Sequence, residues 1–363
     1  MNTATLTQSR KLTPDELEAF GRELDALREE VARDLGERDV THMRSVMKTA
    51  ARTEAAGRAL LHFGLGPITF LAGAASLGVS KILNNMEIGH NVMHGQYDWT
   101  RDPDLNGHAF DWDNVCPAAD WRHFHNYEHH TYTNVLGRDR DIGYSFLRVT
   151  PEQSWNITHL AQPISATWLM FNFQWGVAMH DLRIGESIAV GDFKALWDRS
   201  REFRSKVSWQ LAKDYVFYPA LALFNAPRVA MGNLVANGLR NVWTFSVIFC
   251  GHFPDGVSVF TDAETQNETR GAWYLRQARG SANIEGSRAF HVLTGHLSHQ
   301  IEHHLFPDIP ASRYPEMAPR VRDIMARYGQ VYNTGSFARQ LGSVAKRIAK
   351  FSLPPRVTQA LAA

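Results

Sequence analysis

The chain has 363 residues, with 38 basic and 37 acidic side chains and a formal net charge of +1, so no global field draws it to nucleic acid. Its two cysteines, Cys116 and Cys250, stand far apart without metal-knuckle spacing, which excludes a disulfide framework and a zinc knuckle and reads as buried thiols in a reducing compartment. The length allows one large domain or two ordinary ones, and the mean hydropathy of −0.30 suits a protein that is part membrane hairpin and part cytosolic cap.

The first apolar run follows more than fifty mostly polar residues, so no signal peptide is expected and the start is read as cytosolic. Residues 13 to 35 read as an amphipathic helix. Thr13 caps it, Pro14 suits its first turn, Glu16 completes a capping box, and Leu17, Phe20, Leu24, Leu27 and Val31 recur at three- and four-residue steps. From Ala59 to Ile82 the chain is apolar and is interrupted at Gly64, Gly66 and Pro67. Because one crossing needs about 20 residues, two short dipping or re-entrant segments are expected there. The stretch Pro163 to Met179 carries Asn172 and Gln174 and reads as a helix lying in the interface. Between Tyr215 and Cys250, Pro227 and Gly232 are expected to split a compact hairpin that returns His252 to its side of departure. Residues 311 to 350 read as amphipathic cytosolic helices rich in Arg and Lys. The expected domains are 1–56, N-terminal cytosolic helices; 57–310, the membrane and histidine domain; and 311–363, C-terminal cytosolic helices.

Histidine is the informative excess: there are 17, and more than half fall into three clusters. His90 and His94 stand four apart after the first apolar stretch and share one helical face. His123, His125, His129 and His130 follow within eight residues, with His130 rotated about 100° from His129, so this group can serve two adjacent metals. His296, His299, His303 and His304 form the third cluster. Burying so many titratable rings without partners costs several kcal/mol, whereas neutral imidazole is a preferred ligand for iron and zinc. A soluble carboxylate bundle is excluded because only Glu87-x-x-His90 matches its Glu-x-x-His motif. His42, His62, His108, His159 and His180 stand alone and receive ordinary structural roles.

The words HNVMH, HNYEHH and QIEHHLFP, supported by NMEIGHNVMHGQ, RNVWTF and GHFPDG, resemble the three histidine boxes of integral-membrane fatty acid desaturases over roughly residues 57 to 335. The likeness is to bacterial acyl-CoA-type members with a Gln-initial third box. It implies an all-α fold of membrane hairpins forming a stem, with a cytosolic helical cap over a di-iron site. It further implies His90, His94, His125, His129, His130, His303 and His304 as ligands, with His252 as the additional one at the end of the last membrane helix. Gln300, in place of the first histidine of the third box, is a further candidate, with His299 or His296 as alternatives, and His123 is the alternate in the second box. The implied activity is O2-dependent insertion of a cis double bond into a fatty acyl chain, CoA- or lipid-linked, using two Fe ions. No haem-binding His-Pro-Gly-Gly word marks a fused cytochrome b5, so a separate electron donor, a ferredoxin or flavin reductase, is expected. The expected location is a bacterial inner membrane, with the boxes and both termini on the cytosolic side. Trp112 and Trp243, with Trp99 and Trp121, are candidates to line an acyl tunnel. The rival functions are a membrane hydroxylase acting on alkyl or acyl chains and, from another class, a histidine-rich metal transporter.

Overall fold

The computed structural model describes residues 9–355 and residue 357. The first eight residues of the expected N-terminal region and the end of the expected C-terminal one therefore lie outside the described residues. The fold is all-α among the described residues apart from one short parallel pair, Asn283–Glu285 beside Thr334–Ser336.

The first helix, Pro14–Arg33, forms as its sequence predicts. The Glu16 N–H donates to Thr13 Oγ1 at 3.3 Å, and the Thr13 N–H donates to Glu16 Oε2 at 2.9 Å, satisfying two donors that a helix start leaves orphaned. Phe20, Leu24, Leu27 and Val31 are buried against Tyr274, Ile301, Phe306, Met317 and Val321. Each such burial contributes about 1.5–3 kcal/mol. This helix crosses the Arg270–Arg279 helix where Gly271 lies against the Leu17 carbonyl, a gap no Cβ fits. The C-terminal helices Tyr314–Arg327 and Phe337–Ser352 also form, and together these elements make the cap beside the histidines.

The first hairpin differs from expectation. Instead of two short dipping segments, a 27-residue helix Glu37–Phe63 runs unbroken across residue 56 and turns at Gly64 and Leu65 into the helix Gly66–Leu83. The second arm continues through a π-helical turn, Asn84–His90, to Met93. Gly66–Met93, 28 residues, is long and apolar enough to cross a membrane. The first arm starts in polar sequence, which hydropathy does not flag. Several of its polar groups find partners one turn away within the helix: Thr49 and Thr53 donate to the carbonyls of Ser45 and Thr49, and Arg58 pairs with Glu54. The arms approach closely at glycines, since a Cβ on Gly57 meets Leu77 N at 2.7 Å and the Gly73 carbonyl at 2.9 Å.

The second hairpin is also placed differently. It descends through Arg201–Ala212, a π turn Lys213–Phe217 and Tyr218–Leu221, turns at 222–225, and returns as one 27-residue helix, Ala226–His252. Pro227 does not split it, because proline in a helix's first turn costs no hydrogen bond. Gly232 lies inside the returning helix, where its missing side chain admits Leu61. The hairpin ends are stitched together: Asn225 Nδ2 donates to the His62 carbonyl at 2.7 Å, and Arg228 donates to the Gly66 carbonyl at 2.9 Å. Around them Phe63, Leu65, Ile68, Leu223 and Phe224 are exposed, a concentration of large apolar side chains that a protein surrounded by water does not favour.

The expected interfacial stretch is two short helices, Gln162–Phe171 and Phe173–Asp181, hinged at Asn172. They bury Ala166, Leu169 and Phe173 while exposing Ile164, Trp168 and Phe171.

The Gly57 contact gives a test of the stem. Gly57→Leu drives a side chain into the Leu77 backbone and is expected to destabilise the detergent-solubilised protein by about 1–3 kcal/mol, seen as a lower thermal unfolding midpoint; an unchanged midpoint contradicts the close packing.

Candidate metal centre

Four segments deliver the seven box histidines and His252 to one place. His90 ends the π turn Asn84–His90 and His94 follows one turn later. His125 and His129 lie on a second π turn, Arg122–His129, that continues into His130–Tyr132. His252 is the last residue of the long returning helix, and His303 and His304 lie on the short helix Gln300–Leu305. π turns widen the helix locally and recur at functional sites. Here the second one places His125 beside His90 and His94, and His129 beside His252 and His304.

Two groups emerge. The donor nitrogens of His90, His94, His125 and His303 all lie within 4.8 Å of one another, as do those of His129, His252 and His304. His130 stands between, its ring stacked on His304 at 4.4 Å and edge-on to His94 and His303, each at 4.7 Å. Within each group, bare Nε2 atoms face each other at 3.3 Å, His90 with His125 and His252 with His304. That separation matches two ligands flanking a tetrahedral metal at about 2.0–2.1 Å from each. The buried nitrogens His94 Nε2, His303 Nε2, His252 Nδ1 and both of His130 have no hydrogen-bond partner. Such atoms are costly unless a metal satisfies them, so the residues fit the expected ions.

The opposite ring nitrogens are held in place. His129 Nδ1 donates to Asp139, 3.0 Å away, and Asp139 in turn accepts from the Asn134 and Asp141 N–H groups. His90 Nδ1 meets Asn91 Oδ1 at 3.0 Å, and His304 Nδ1 meets Gln277 Oε1 and Thr133 Oγ1, both at 3.1 Å. Such contacts fix ring orientation and raise ligand basicity. Burial, reinforced by neighbouring imidazoles, holds His94, His130, His303 and His304 well below the usual histidine range. Burial lowers His125 as well, against the pull of Asp141. At His129 burial works the same way, but Asp139 and Asp141 outweigh it and lift its pKa.

Gln300 joins the cluster, with Nε2 2.9 Å from His252 Nε2 and a buried, unpartnered Oε1. The alternatives lie elsewhere: His296 pairs with Glu87 at 2.8 Å, His299 sits beside His291, and His123 is turned outward beside Glu128. Trp112 and Trp121 line a narrow cavity of about 60 Å³ that opens against His90 and His125, and Trp121 stacks on His125 at 4.5 Å. Trp243 instead packs on Phe290 and Phe337, away from that cavity. Trp99 is partly exposed and donates to the Gln96 carbonyl.

Sequence reasoning missed Asp139 and Asp141, whose one available signal is the Asp-Arg-Asp word nine residues after the HNYEHH box. It also missed the bridge in which Glu87 takes His42 on one oxygen and His296 on the other, both at 2.8 Å, tying the first and third boxes to the Glu37–Phe63 helix.

Fold and site together define an all-α protein with a buried polyhistidine centre. The fatty acid desaturase family model matches residues 65–336, and the chain belongs to that family. It is a fatty acid desaturase, an oxidoreductase acting on fatty acyl chains. Over 352 residues it is 44% identical to the NADPH-dependent stearoyl-CoA 9-desaturase of Mycobacterium tuberculosis, covering 95% of this chain and 82% of that one. It is also 28% identical over 278 residues to the sn-1 linoleoyl-lipid 6-desaturase of Synechocystis, spanning 73% of this chain and 76% of the relative. With human fatty acid desaturase 3 it shares 24% identity over 247 residues, 64% of this chain and 50% of that protein.

Two outcomes follow from this geometry. Asp139→Asn frees the His129 ring and is expected to weaken metal binding about 10–100-fold, measured by competition with a chelator; unchanged affinity removes the orienting role. The metal-free protein is expected to lose stability as pH falls below about 6.5, where unfolded histidines take up protons that His94, His125, His130, His303 and His304 refuse in the fold. His129, with its raised pKa, offsets only its own share. Chemical denaturation of chelated protein across pH 5 to 8 reads the sign, and a stability that rises on acidification refutes it.

Proposed function

We propose that the eight histidines hold two iron ions and that the enzyme inserts a cis double bond into a long fatty acyl chain carried as a CoA thioester. The observation that carries this reading is the pairing of two imidazole groups around buried, unpartnered nitrogens with a narrow cavity that opens against His90 and His125. The CoA carrier is supported by the stearoyl-CoA substrate in the name of the mycobacterial relative.

Bound iron at such a centre supplies the activation of O2 needed to remove hydrogen from two adjacent unactivated methylenes, with water as the by-product. The chain's own residues do the rest. Asp139, Asn91, Gln277 and Thr133 hold the rings, so little reorganisation is needed during turnover. Trp112, Trp121 and Phe173 present apolar surface that favours an alkyl chain over water beside His90 and His125. The histidines act as ligands and not as acid–base catalysts, in keeping with the lowered pKa of His94, His130, His303 and His304.

In this reading residues 57–310 supply most of the stem and the centre, flanked by the cap regions 1–56 and 311–363. The hairpin ends, with Phe63, Leu65, Ile68 and Phe224 exposed, lie inside a bacterial inner membrane, and the histidine centre and the described chain ends face the cytosol. Two electrons per turnover arrive from a separate carrier. The NADPH dependence in the relative's name favours a flavin reductase over a ferredoxin alone.

The deciding experiment is mass analysis of acyl products from cells expressing wild type or His129→Ala. The expected product has lost two hydrogens and is absent in the variant. A product that has gained one oxygen makes the enzyme a hydroxylase, and unchanged lipids with metal flux in vesicles make it a transporter.

A further inference from the structure

Trp121 is set among the histidines of one group. Its ring stacks on His125 at 4.5 Å and stands edge-on to His90 at 5.4 Å and His94 at 5.5 Å, so it touches three of the four. Trp112 lies next in line, with ring centroids 5.3 Å from Trp121, a separation at which aromatic rings are in contact. Trp112 also lines an outer cleft of about 510 Å³ with Asp111, Asp113, Lys206 and Trp209. Asp111, Asp113 and Trp209 are exposed there, so the cleft is open to solvent. Two touching indoles therefore join the histidine centre to the surface.

Their surroundings suit the passage of electrons. Indole gives up an electron without first losing a proton, whereas phenol must shed one. Trp112 Nε1 donates to the Cys116 carbonyl at 2.8 Å, and an amide oxygen is too weak a base to take that proton. An oxidised Trp112 therefore keeps its proton and is restored by an electron alone. Tyr314, whose hydroxyl lies 3.4 Å from His303 Nδ1, is a poorer exit: it donates to the Phe306 carbonyl at 3.1 Å and has no base there to accept its proton.

Resting on the desaturase reading of this centre, we infer that Trp121 and Trp112 form an electron relay that discharges the oxidised centre to small thiols at the outer cleft when no acyl chain fills the cavity. Reduction of O2 to two waters takes four electrons and four protons. The redox donor supplies two electrons, matched by two protons from solvent, and a bound acyl chain supplies the rest as two hydrogens from adjacent methylenes. Without that chain, the missing two electrons leave Trp121 one at a time and Trp112 refills it. Two thiols then refill Trp112, joining as a disulfide and releasing the two remaining protons. Both indoles line the cavity, so a bound acyl chain lies closer to the centre than the surface thiols do and competes with the relay.

The test supplies O2 and photoreduced flavin to iron-loaded full-length protein in detergent, with catalase and superoxide dismutase present and no acyl-CoA, and maps oxygen adducts by peptide mass spectrometry. Adducts are expected on Trp112 and Trp121, absent from the metal-free protein and suppressed severalfold by glutathione. Trp112→Phe breaks the relay and is expected to move adducts inward to Trp121, His90, His94 and His125 and to increase them severalfold in the presence of glutathione. Should that variant fail to fold, the wild-type map and its response to glutathione decide. Adducts spread over the exposed Trp99, Trp197 and Trp209 in place of Trp112 and Trp121, equal adducts in the metal-free protein, or none at all overturn the relay. Given stearoyl-CoA, the same preparation is expected to release a product short of two hydrogens. Its failure to do so overturns the desaturase reading, whereas a desaturating preparation without adducts on Trp112 overturns the relay alone.

Discussion

The constraint on which the rest of the structure depends is the desolvation of imidazole. Seven box histidines and His252, most of them buried, converge on one volume, and several of their nitrogens meet no hydrogen-bond partner from the protein. Each such atom is expensive, and together they cost more than a protein of ordinary marginal stability tolerates without compensation. In the proposed reading metal ions supply that compensation, and the surrounding carboxylate and amide partners suit it: they occupy the far nitrogen of His90, His129 and His304 and leave the near one bare.

Other features serve this convergence. Two π turns set His90, His125 and His129 at angles that regular helices do not give. Two hairpins return their second arms to the same level, so that His90 and His252 end parallel helices beside the third box. Glycines at 57, 73 and 232 bring those arms close enough to act as one stem. The Glu87 bridge to His42 and His296 fastens the first and third boxes to the helix that links stem and cap.

Much of this was legible in the sequence, and the reasons differ from element to element. The ligand clusters stand out because histidine is scarce and its spacing survives any helix geometry. The first helix stands out because Thr13, Pro14 and Glu16 leave a complete capping signature above a regular apolar stripe. The hairpins were legible only in part. The arm Glu37–Phe63 is polar along much of its length, and its stability comes from packing on Gly73 and Leu77, which no local pattern records. The second turn was misplaced because Pro227 and Gly232 act as breakers only in isolation; at a helix start and at a helix crossing they are permitted. Asp139, Asp141 and the Glu87 bridge were invisible because their meaning lies in partners ten to two hundred residues away.

X-ray absorption at the iron edge, on iron-loaded full-length protein in detergent with parallel metal and protein quantification, tests the central claim most directly. The account predicts close to two irons per chain in a first shell dominated by imidazole nitrogen, with the multiple-scattering signature of histidine rings. A single iron per chain, or a shell dominated by carboxylate oxygen or thiolate sulfur, contradicts it.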